Sequence, residues 1–263
     1  MTWLVKKTDF EPEPGGRRNS QGSMIPDDAV SVHSAHGPQK QYFAPIKYYK
    51  GNVVVVKKLH FKKLELTRPL LIELKNLKDL HHDHLVKFYG ACVDPPEPCL
   101  LTEYCPKGSL QDILESEKFK LEESKSIFKY SLLHDIVKGM SYLHASEIKS
   151  HGGLKSSNCV VDSRFVLKIA DFGLRSLRVP DKNSDDAESH AYWARQRWTA
   201  PELLRMPNPP AEGTQKGDVY SFAIIVQEII FQKGAFFIET DNDNPRHPRG
   251  QFNKSQIRVS AFA

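Results

Sequence analysis

Four short segments that stand in a fixed order along the chain constrain its fold more than any other feature of the sequence. A lysine closes an apolar run, a Gly-rich segment ends in asparagine, an Asp-Phe-Gly triplet follows, and an Ala-Pro-Glu triplet comes last. The segments are Val54-Val55-Val56-Lys57, His151-Gly152-Gly153-Leu154-Lys155-Ser156-Ser157-Asn158, Asp171-Phe172-Gly173 and Ala200-Pro201-Glu202. Asn158 lies five positions after Gly153, and Asp171 lies eighteen after it. Each segment alone is a weak signal, whereas their order and spacing together are not expected by chance.

Hydrophobic periodicity around the first segment predicts a small part rich in strands. Residues 42–49 and 53–56 predict two strands joined by a tight turn at residues 50–52. Leucines at helical spacing from Leu66 onward predict a helix of about four turns. Residues 85–92 and 99–104 predict two further strands, so the strand-rich part ends near Cys105.

The rest of the chain is predicted to be mainly helical. Apolar residues between Phe128 and Leu143 recur on one face of a long amphipathic helix, and the last clear element runs from Asp218 to Ile230. Residues 1–40 are rich in Gly, Pro, Ser and charge, which predicts a flexible segment. Residues 239–263 are polar and aperiodic and predict a divergent tail.

Composition excludes several classes of function. The 263 residues are 40% hydrophobic and carry a net charge of +5, but the lysines are scattered, so we expect no nucleic-acid partner. No apolar run approaches the length of a membrane span, so the chain as given is expected to be soluble. The four cysteines lack metal-binding spacing, which predicts reduced, buried thiols.

The four segments resemble the signature set of protein kinases. The resemblance implies an α+β, bilobal protein-kinase-like fold, with a small antiparallel β lobe carrying one helix (residues 41–105) and a mainly helical, C-terminally truncated large lobe (residues 106–238). In that family Lys57 offsets the charge of the α- and β-phosphates of ATP, and Glu73 in the leucine-rich helix pairs with Lys57. Val55, Thr102 and Val160 are expected around the nucleotide base.

The same resemblance implies a magnesium site and a set of framework residues. Asp171 and Asn158 match the two residues that hold Mg²⁺ against the phosphates, so ATP with Mg²⁺ is the expected ligand. The positions expected to have structural or regulatory roles are Leu77, Phe88, His151, Phe172, Glu202 and Asp218.

The sequence departs from the kinase pattern at several positions. Gly153 stands where the catalytic aspartate is required, and general-base catalysis is worth typically ~10² to 10⁴ in rate, so we predict no catalytic residue and no kinase activity. Gly152 replaces the arginine that anchors a phosphorylated activation segment. Val55 is larger than the usual alanine, and no G-x-G-x-x-G precedes Gly51, so nucleotide binding is expected to be weakened.

Longer stretches resemble receptor guanylyl cyclases of the natriuretic-peptide-receptor type. They include residues 48–54, 103–114, 151–162, 198–206 and 217–222, and the resemblance covers residues 41–238. It implies a kinase-homology, or pseudokinase, domain on the cytoplasmic side of the plasma membrane, next to a coiled coil and a cyclase domain in a parent that forms homodimers. The chain itself is expected to lack cyclase activity and to reach the membrane only through the parent's span.

The resemblance also raises two local expectations. Residues 1–40 correspond to a juxtamembrane stretch, in which Ser20 after Arg17-Arg18-Asn19 is a candidate phosphorylation site. The late helix that supplies an arginine partner to Glu202 is absent from the chain, so we expect a buried carboxylate without its usual partner.

Three functional hypotheses remain open at this point. The first is a regulatory, ATP-binding pseudokinase that controls cyclic GMP synthesis by its parent receptor. The second is a weakly active protein kinase with a displaced base. The third is a nucleotide-free scaffold in which Lys57 and Glu73 brace the small lobe.

Overall fold

The computed structural model describes residues 2–10, 30–32, 42–59, 64–93, 98–116, 126–177 and 196–236. The strands are β1 Val30–Val32, β2 Tyr42–Ala44, β3 Ile46–Tyr49, β4 Asn52–Lys58, β5 Phe88–Cys92, β6 Cys99–Glu103, β7 Cys159–Val161 and β8 Leu167–Ile169. The α-helices are α1 Arg68–Asp79, α2 Leu110–Glu115, α3 Ser126–Ala145, α4 Pro201–Arg205 and α5 Gln215–Phe231. Short 3₁₀ helices span Lys7–Phe10, Ser156–Asn158, Arg175–Leu177 and Gln196–Trp198.

The small lobe is built on a four-stranded antiparallel sheet with the order β3-β4-β6-β5. The predicted hairpin is confirmed, because Lys50 and Gly51 take the positive φ angles of 48° and 77° that a tight turn with right-handed strand twist requires. The predicted first strand is interrupted at Pro45, and its first part, β2, pairs with β1 instead.

Helix α1 packs on the inner face of this sheet. It begins two residues later than the leucine pattern predicts, since the Thr67 side chain caps it by accepting a hydrogen bond from Leu70 N. Leu70, Leu74 and Leu77 are buried, as their spacing predicts. The opposite face of α1 is exposed at Ile72, so only one stripe of the helix contributes to the core.

The strand predicted over residues 85–92 begins only at Phe88. The residues before it turn away and pair with β8 of the large lobe, where Val86 N donates to Ile169 O at 2.8 Å and Ile169 N donates to His84 O at 2.9 Å. These two backbone hydrogen bonds connect β8, the strand that precedes Asp171, to the small lobe. It therefore places the Asp-Phe-Gly segment directly below the sheet that carries Lys57.

The large lobe is organised by α3 and α5. Thr214 caps α5 by accepting from Gly217 N at 2.9 Å, which starts the helix three residues before the predicted position. Buried residues of both helices form one core with β7 and β8, and they include Leu132, Ile136, Met140, Leu143, Ile225 and Ile229. The bilobal α+β fold that the kinase resemblance implied is confirmed.

The N-terminal segment (residues 2–10) differs from the prediction of one flexible stretch over residues 1–40. Trp3, Val5 and Phe10 are 3%, 1% and 6% exposed and pack against the small lobe. The bias in composition of residues 11–29 hid this short apolar pattern. Apart from β1, the remainder of the predicted flexible stretch lies outside the described residues, as does the predicted tail 239–263.

All four cysteines are reduced and buried, as predicted. Burial raises the pKa of the Cys99 thiol to about 11 and that of Cys105 to about 12, and it raises the pKa of Cys159 further. Thiols with such raised pKa values carry little thiolate at neutral pH, which fits a structural role.

Candidate functional site

A cleft of about 540 Å³ lies where the two lobes meet. The small lobe contributes Lys57 from β4 and Thr102 from β6, and the large lobe contributes Gly153, Asn158 and Asp171. Residues separated by more than one hundred positions in the sequence therefore line one space. Leu77, Phe88, Phe172 and Asp218 also line it.

The Lys57 ammonium is bonded to the Asp171 carboxylate. Lys57 Nζ lies 2.5 Å from Asp171 Oδ1, and the two side chains are 31% and 41% exposed. Asp171 holds a positive φ of 62°, which turns its carboxylate toward the small lobe. Desolvation is the largest single influence and raises the pKa of Asp171, but the charge and hydrogen bond of Lys57 together with the charges of His151 and Lys155 outweigh it, so the net pKa is lowered. The Asp171 carboxylate therefore stays ionised at neutral pH.

The predicted pairing between Lys57 and Glu73 is wrong in this structure. Glu73 instead accepts hydrogen bonds from Ser176. The backbone N of Ser176 donates to Glu73 Oε2 at 3.2 Å, and its Oγ donates to Glu73 Oε1 at 3.0 Å. Ser176 lies in the 3₁₀ helix Arg175–Leu177, which contacts α1 just after the Asp-Phe-Gly segment. Lys57 and Glu73 therefore have different partners here, and Glu73 connects α1 to the segment that follows Asp-Phe-Gly.

Asn158, the second predicted magnesium ligand, lies close to Gly153 in the cleft. Its Nδ2 donates to Gly153 O at 2.8 Å, which leaves the amide oxygen for another partner. Its backbone O accepts from Ala170 N at 2.8 Å, so Asn158, just before β7, and Asp171, just after β8, are held at the same end of this strand pair. Among the described residues no cluster of three or more His, Cys, Asp or Glu side chains could hold a metal ion. An ion at this site would rest on one carboxylate, one amide oxygen and phosphate oxygens.

The two glycines of the catalytic-loop segment have opposite surroundings. A Cβ on Gly153 would meet nothing nearer than His151 Nδ1 at 4.0 Å, so a side chain has room there. Gly152 has a φ of 68°, and a Cβ on it would lie 2.2 Å from Glu212 O and 2.9 Å from Gly213 N. The backbone at Glu212 and Gly213 therefore occupies the space that a side chain at Gly152 would need.

Asp218 holds this loop in place. It is 2% exposed and accepts from His151 N at 2.8 Å, Gly152 N at 2.9 Å and His144 Nε2 at 2.9 Å. His151 is also buried, and its Nε2 lies 2.9 Å from Ala170 O, the residue before Asp171. The predicted framework residues His151 and Asp218 thus connect the loop, α5 and the Asp-Phe-Gly segment.

Five further predicted positions fall into two groups. Leu77, Phe88 and Phe172 are buried in one core cluster between the lobes. Val55 and Val160 do not line the cleft. Val55 pairs with Thr102 across the sheet and so shares its face, while Val160 is partly buried in β7.

Two further predictions concern Glu202 and Ser20. Glu202 is exposed, so our expectation that it would be a buried carboxylate is wrong. It lies in the first turn of the short helix α4, at the surface of the described part, where water solvates its charge. Ser20 lies outside the described residues.

Sequence reasoning missed Glu228, a buried carboxylate in α5. It is 4% exposed and accepts from Ser156 Oγ and Trp198 Nε1, each at 2.9 Å. Burial raises its pKa to about 7, although these hydrogen bonds and the charge of Arg197 oppose the shift and Glu115 adds to it. An acidic residue within the apolar run of α5 was the available signal. No sequence signal pointed to Ser176, which binds Glu73.

Glu228→Gln is expected to change how stability depends on pH. Since the folded pKa near 7 exceeds the ordinary value of 4.5, the folded state binds more protons between these values, and stability falls as pH rises through this window. A difference of this size corresponds to a loss on the order of 3 kcal/mol.

Urea unfolding at pH 5 and pH 8 measures this effect. The glutamine variant should lose less stability between the two values, because a neutral amide does not titrate. It should be the more stable protein at pH 8, since its amide oxygen can still accept from Trp198. Equal pH dependence in the two proteins would contradict the assignment. Glu147→Gln, at an exposed position just after α3, is the control.

Comparisons with known proteins agree with this architecture. Residues 39–244 match the family described as protein tyrosine and serine/threonine kinase. The chain is 53% identical over 230 residues to atrial natriuretic peptide receptor 2 of Anguilla japonica, a match that covers 88% of this chain and 20% of that receptor. It is 53% identical over 221 residues to receptor-type guanylate cyclase gcy-28 of Caenorhabditis elegans, with 82% and 17% covered.

A more distant relative shows the same pattern. The resact receptor of Arbacia punctulata is 46% identical over 239 residues, which cover 90% of this chain and 24% of that receptor. The chain spans about a fifth of the length of the curated relatives it matches. Within the described residues, none of the helices has the length and apolar character to cross a membrane. The chain belongs to the protein tyrosine and serine/threonine kinase family, as a relative of the kinase-homology domain of receptor guanylyl cyclases.

Proposed function

We propose that this domain is a regulatory pseudokinase that binds ATP with Mg²⁺ and transfers no phosphate. The observation that carries the proposal is the composition of the cleft, which gathers Lys57, Asn158 and Asp171 around a position occupied by Gly153. The three side chains are the types that bind phosphate and magnesium, and glycine has no group to accept a proton from a substrate hydroxyl. The cleft is therefore expected to bind ATP and Mg²⁺ without transferring phosphate.

Nucleotide binding requires a rearrangement of the Lys57–Asp171 pair. The ammonium would leave Asp171 Oδ1 for the phosphates, and the carboxylate would bind Mg²⁺ with the Asn158 amide oxygen. Because the two residues come from different lobes, this exchange changes how the lobes are held together. A ligand that favours one arrangement of the lobes shifts the population toward it.

In the whole protein, this shift would regulate cyclic GMP synthesis. The named relatives are receptors, and one is a receptor-type guanylate cyclase. We place the domain on the cytoplasmic side of the plasma membrane, in a homodimeric parent whose coiled coil and cyclase domain respond to its nucleotide state. The chain alone is expected to make no cyclic GMP.

Thermal unfolding with and without ATP and Mg²⁺ tests the proposal. A ligand at ~100 times its dissociation constant stabilises the folded state by roughly 2.7 kcal/mol, which corresponds to a rise in Tm of about 5–10 °C for a domain of this size. Millimolar ATP is the relevant range, because the chain lacks a glycine-rich phosphate loop. Lys57→Ala and Asp171→Ala should each reduce the rise.

Two other lysines serve as controls for this experiment. Lys75→Ala, on the exposed face of α1, should leave the ATP-dependent rise unchanged, and Lys155→Ala should reduce it less than Lys57→Ala. No rise in wild type at several millimolar ATP would sink the proposal.

The scaffold hypothesis is the second candidate, and the Lys57–Asp171 ion pair specifically favours it. In that case the pair braces the two lobes without any ligand. Lys57→Ala would then lower the Tm of the nucleotide-free protein, and ATP would change nothing.

A further inference from the structure

The N-terminal segment (residues 2–10) completes an open edge of the small-lobe sheet. Strand β5 is the last strand in the order β3-β4-β6-β5, so one of its edges has no partner strand within the described sheet. Val5 N donates to Ala91 O at 3.0 Å, and Ala91 N donates to Trp3 O at 2.8 Å. The segment thus lies parallel to β5 and binds its edge as an added strand does.

The side chains of the segment reach both faces of the sheet. Val5 and Phe10 belong to the outer cluster with Val54, Val56 and Leu101. Trp3 belongs instead to the inner core cluster, which contains the buried leucines of α1. A single short segment therefore holds the outer face of the sheet and, through Trp3, the side on which α1 packs.

Helix α1 is connected to the same strand. It contacts β5, and Lys78 Nζ near its end donates to Tyr89 O at 2.6 Å. Glu73, which binds Ser176, directly precedes the fully buried Leu74. Because α1 is one continuous helix, a rotation that brought Glu73 toward Lys57 would repack the cluster that Trp3 shares.

The contact at Gly90 is too close for any side chain. A Cβ on Gly90 would lie 2.5 Å from Trp3 O and 2.5 Å from Val5 Cγ2. The backbone of Gly90 is not in the left-handed region, so an alanine there would be strained only by the segment itself. Besides this contact, two backbone hydrogen bonds and the buried side chains of Trp3, Val5 and Phe10 hold the segment, and a local unit of this size can open without unfolding the core.

We propose that the N-terminal segment is a detachable intramolecular peptide ligand of the β5 edge that regulates α1. Docked, it holds α1 in the arrangement in which Glu73 binds Ser176 and Lys57 binds Asp171. Released, it lets α1 turn so that Glu73 reaches Lys57 and the phosphate site opens. The effect on nucleotide rests on the function proposed above, whereas the effect on α1 does not.

Hydrogen exchange of the full chain carrying Gly90→Ala tests the proposal. The added methyl should shift the docking equilibrium by about tenfold or more, and amides of Val5 and Ala91 should exchange faster by that factor. Amides of α1 should also lose protection, while those of α3 and α5 keep theirs. Gly234→Ala is the matched control, since a Cβ there meets nothing within 4 Å and the backbone is not left-handed.

Several outcomes would overturn the inference. Wild-type protection at Val5 and Ala91 in Gly90→Ala would refute the docked geometry, and loss there without any change in α1 would refute the coupling. Trp3→Ala provides a second route, because it removes the inner contact and leaves β5 intact. Global unfolding of both variants would show that the segment is an integral part of the core and not a detachable ligand.

A measurement of ATP affinity distinguishes failure of this inference from failure of the proposed function, on which only the effect on nucleotide rests. If ATP binds, Gly90→Ala should bind it at least about fivefold more tightly, the lower end of ordinary coupling between sites. Unchanged or weaker ATP binding in Gly90→Ala would refute the coupling to the cleft. If neither protein binds ATP while α1 still loses protection as expected, the proposed function fails and the docking of the segment stands.

Discussion

Gly152→Arg is expected to lower the free energy of unfolding by about 3 kcal/mol or more. A non-glycine residue at a φ of 68° costs roughly 1–2 kcal/mol. Overpacking adds about 1–3 kcal/mol, because the Cβ would meet the backbone of Glu212 and Gly213, which cannot rotate away as a side chain could. The arginine that kinases carry at this position therefore cannot be restored without moving the loop at residues 212–213.

Gly153→Asp, one position later, is the matched control. Because a Cβ there meets only His151 Nδ1 at 4.0 Å, its cost should stay within about 1 kcal/mol. Urea unfolding of both variants against wild type measures the difference. Equal destabilisation by the two substitutions would refute the steric argument.

The same Gly153→Asp variant should still fail to phosphorylate a peptide. Restoring the base leaves Glu73 on Ser176 and supplies no G-x-G-x-x-G loop before Gly51 to cover the phosphates, so the phosphates would not be positioned for transfer. A phosphotransfer assay with a generic peptide and radiolabelled ATP measures this. Robust peptide labelling would favour the weakly active kinase hypothesis over ours.

Asp218→Ala is expected to cost about 3–5 kcal/mol, because it removes a buried charge on which several donors depend. The backbone N–H groups of His151 and Gly152 and the Nε2 of His144 all lie within 2.9 Å of its carboxylate. Truncation leaves these donors buried without that acceptor, at a cost of about 1–3 kcal/mol for each unsatisfied group. The loop that carries Gly153 and Asn158 should lose its position as a result.

Asp218→Asn refines this prediction. The amide can accept with only one of its two terminal atoms, and its NH₂ group would face a donor, so a loss of about 2 kcal/mol is expected. Lys216→Ala, exposed on the first turn of the same helix, should change stability by less than about 0.5 kcal/mol. Chemical unfolding monitors all three proteins. An Asp218→Ala variant as stable as Lys216→Ala would contradict the anchoring role.

The sequence by itself determined the fold class and most of the cleft. Lys57, Asn158 and Asp171 each lie beside or within a short strand whose apolar pattern is local, so their positions follow from the strands that carry them. The pairing of Val86 and His84 with β8 then brings the lobes together. Gly153 could be assigned from spacing alone, since it depends only on its distance from Asn158 and Asp171.

Only the tertiary structure decided which partner each charged side chain takes. Glu73 could bind Lys57 or Ser176 according to the rotation of α1 as a rigid body, and that rotation is the net result of many contacts from distant parts of the chain. Trp3 is one of these contacts, although composition predicts only a flexible segment around it. The properties of Glu228 and Gly152 were likewise decided by the tertiary structure. Glu228 is buried by residues distant in the sequence, and the backbone at Glu212 and Gly213 approaches Gly152 closely.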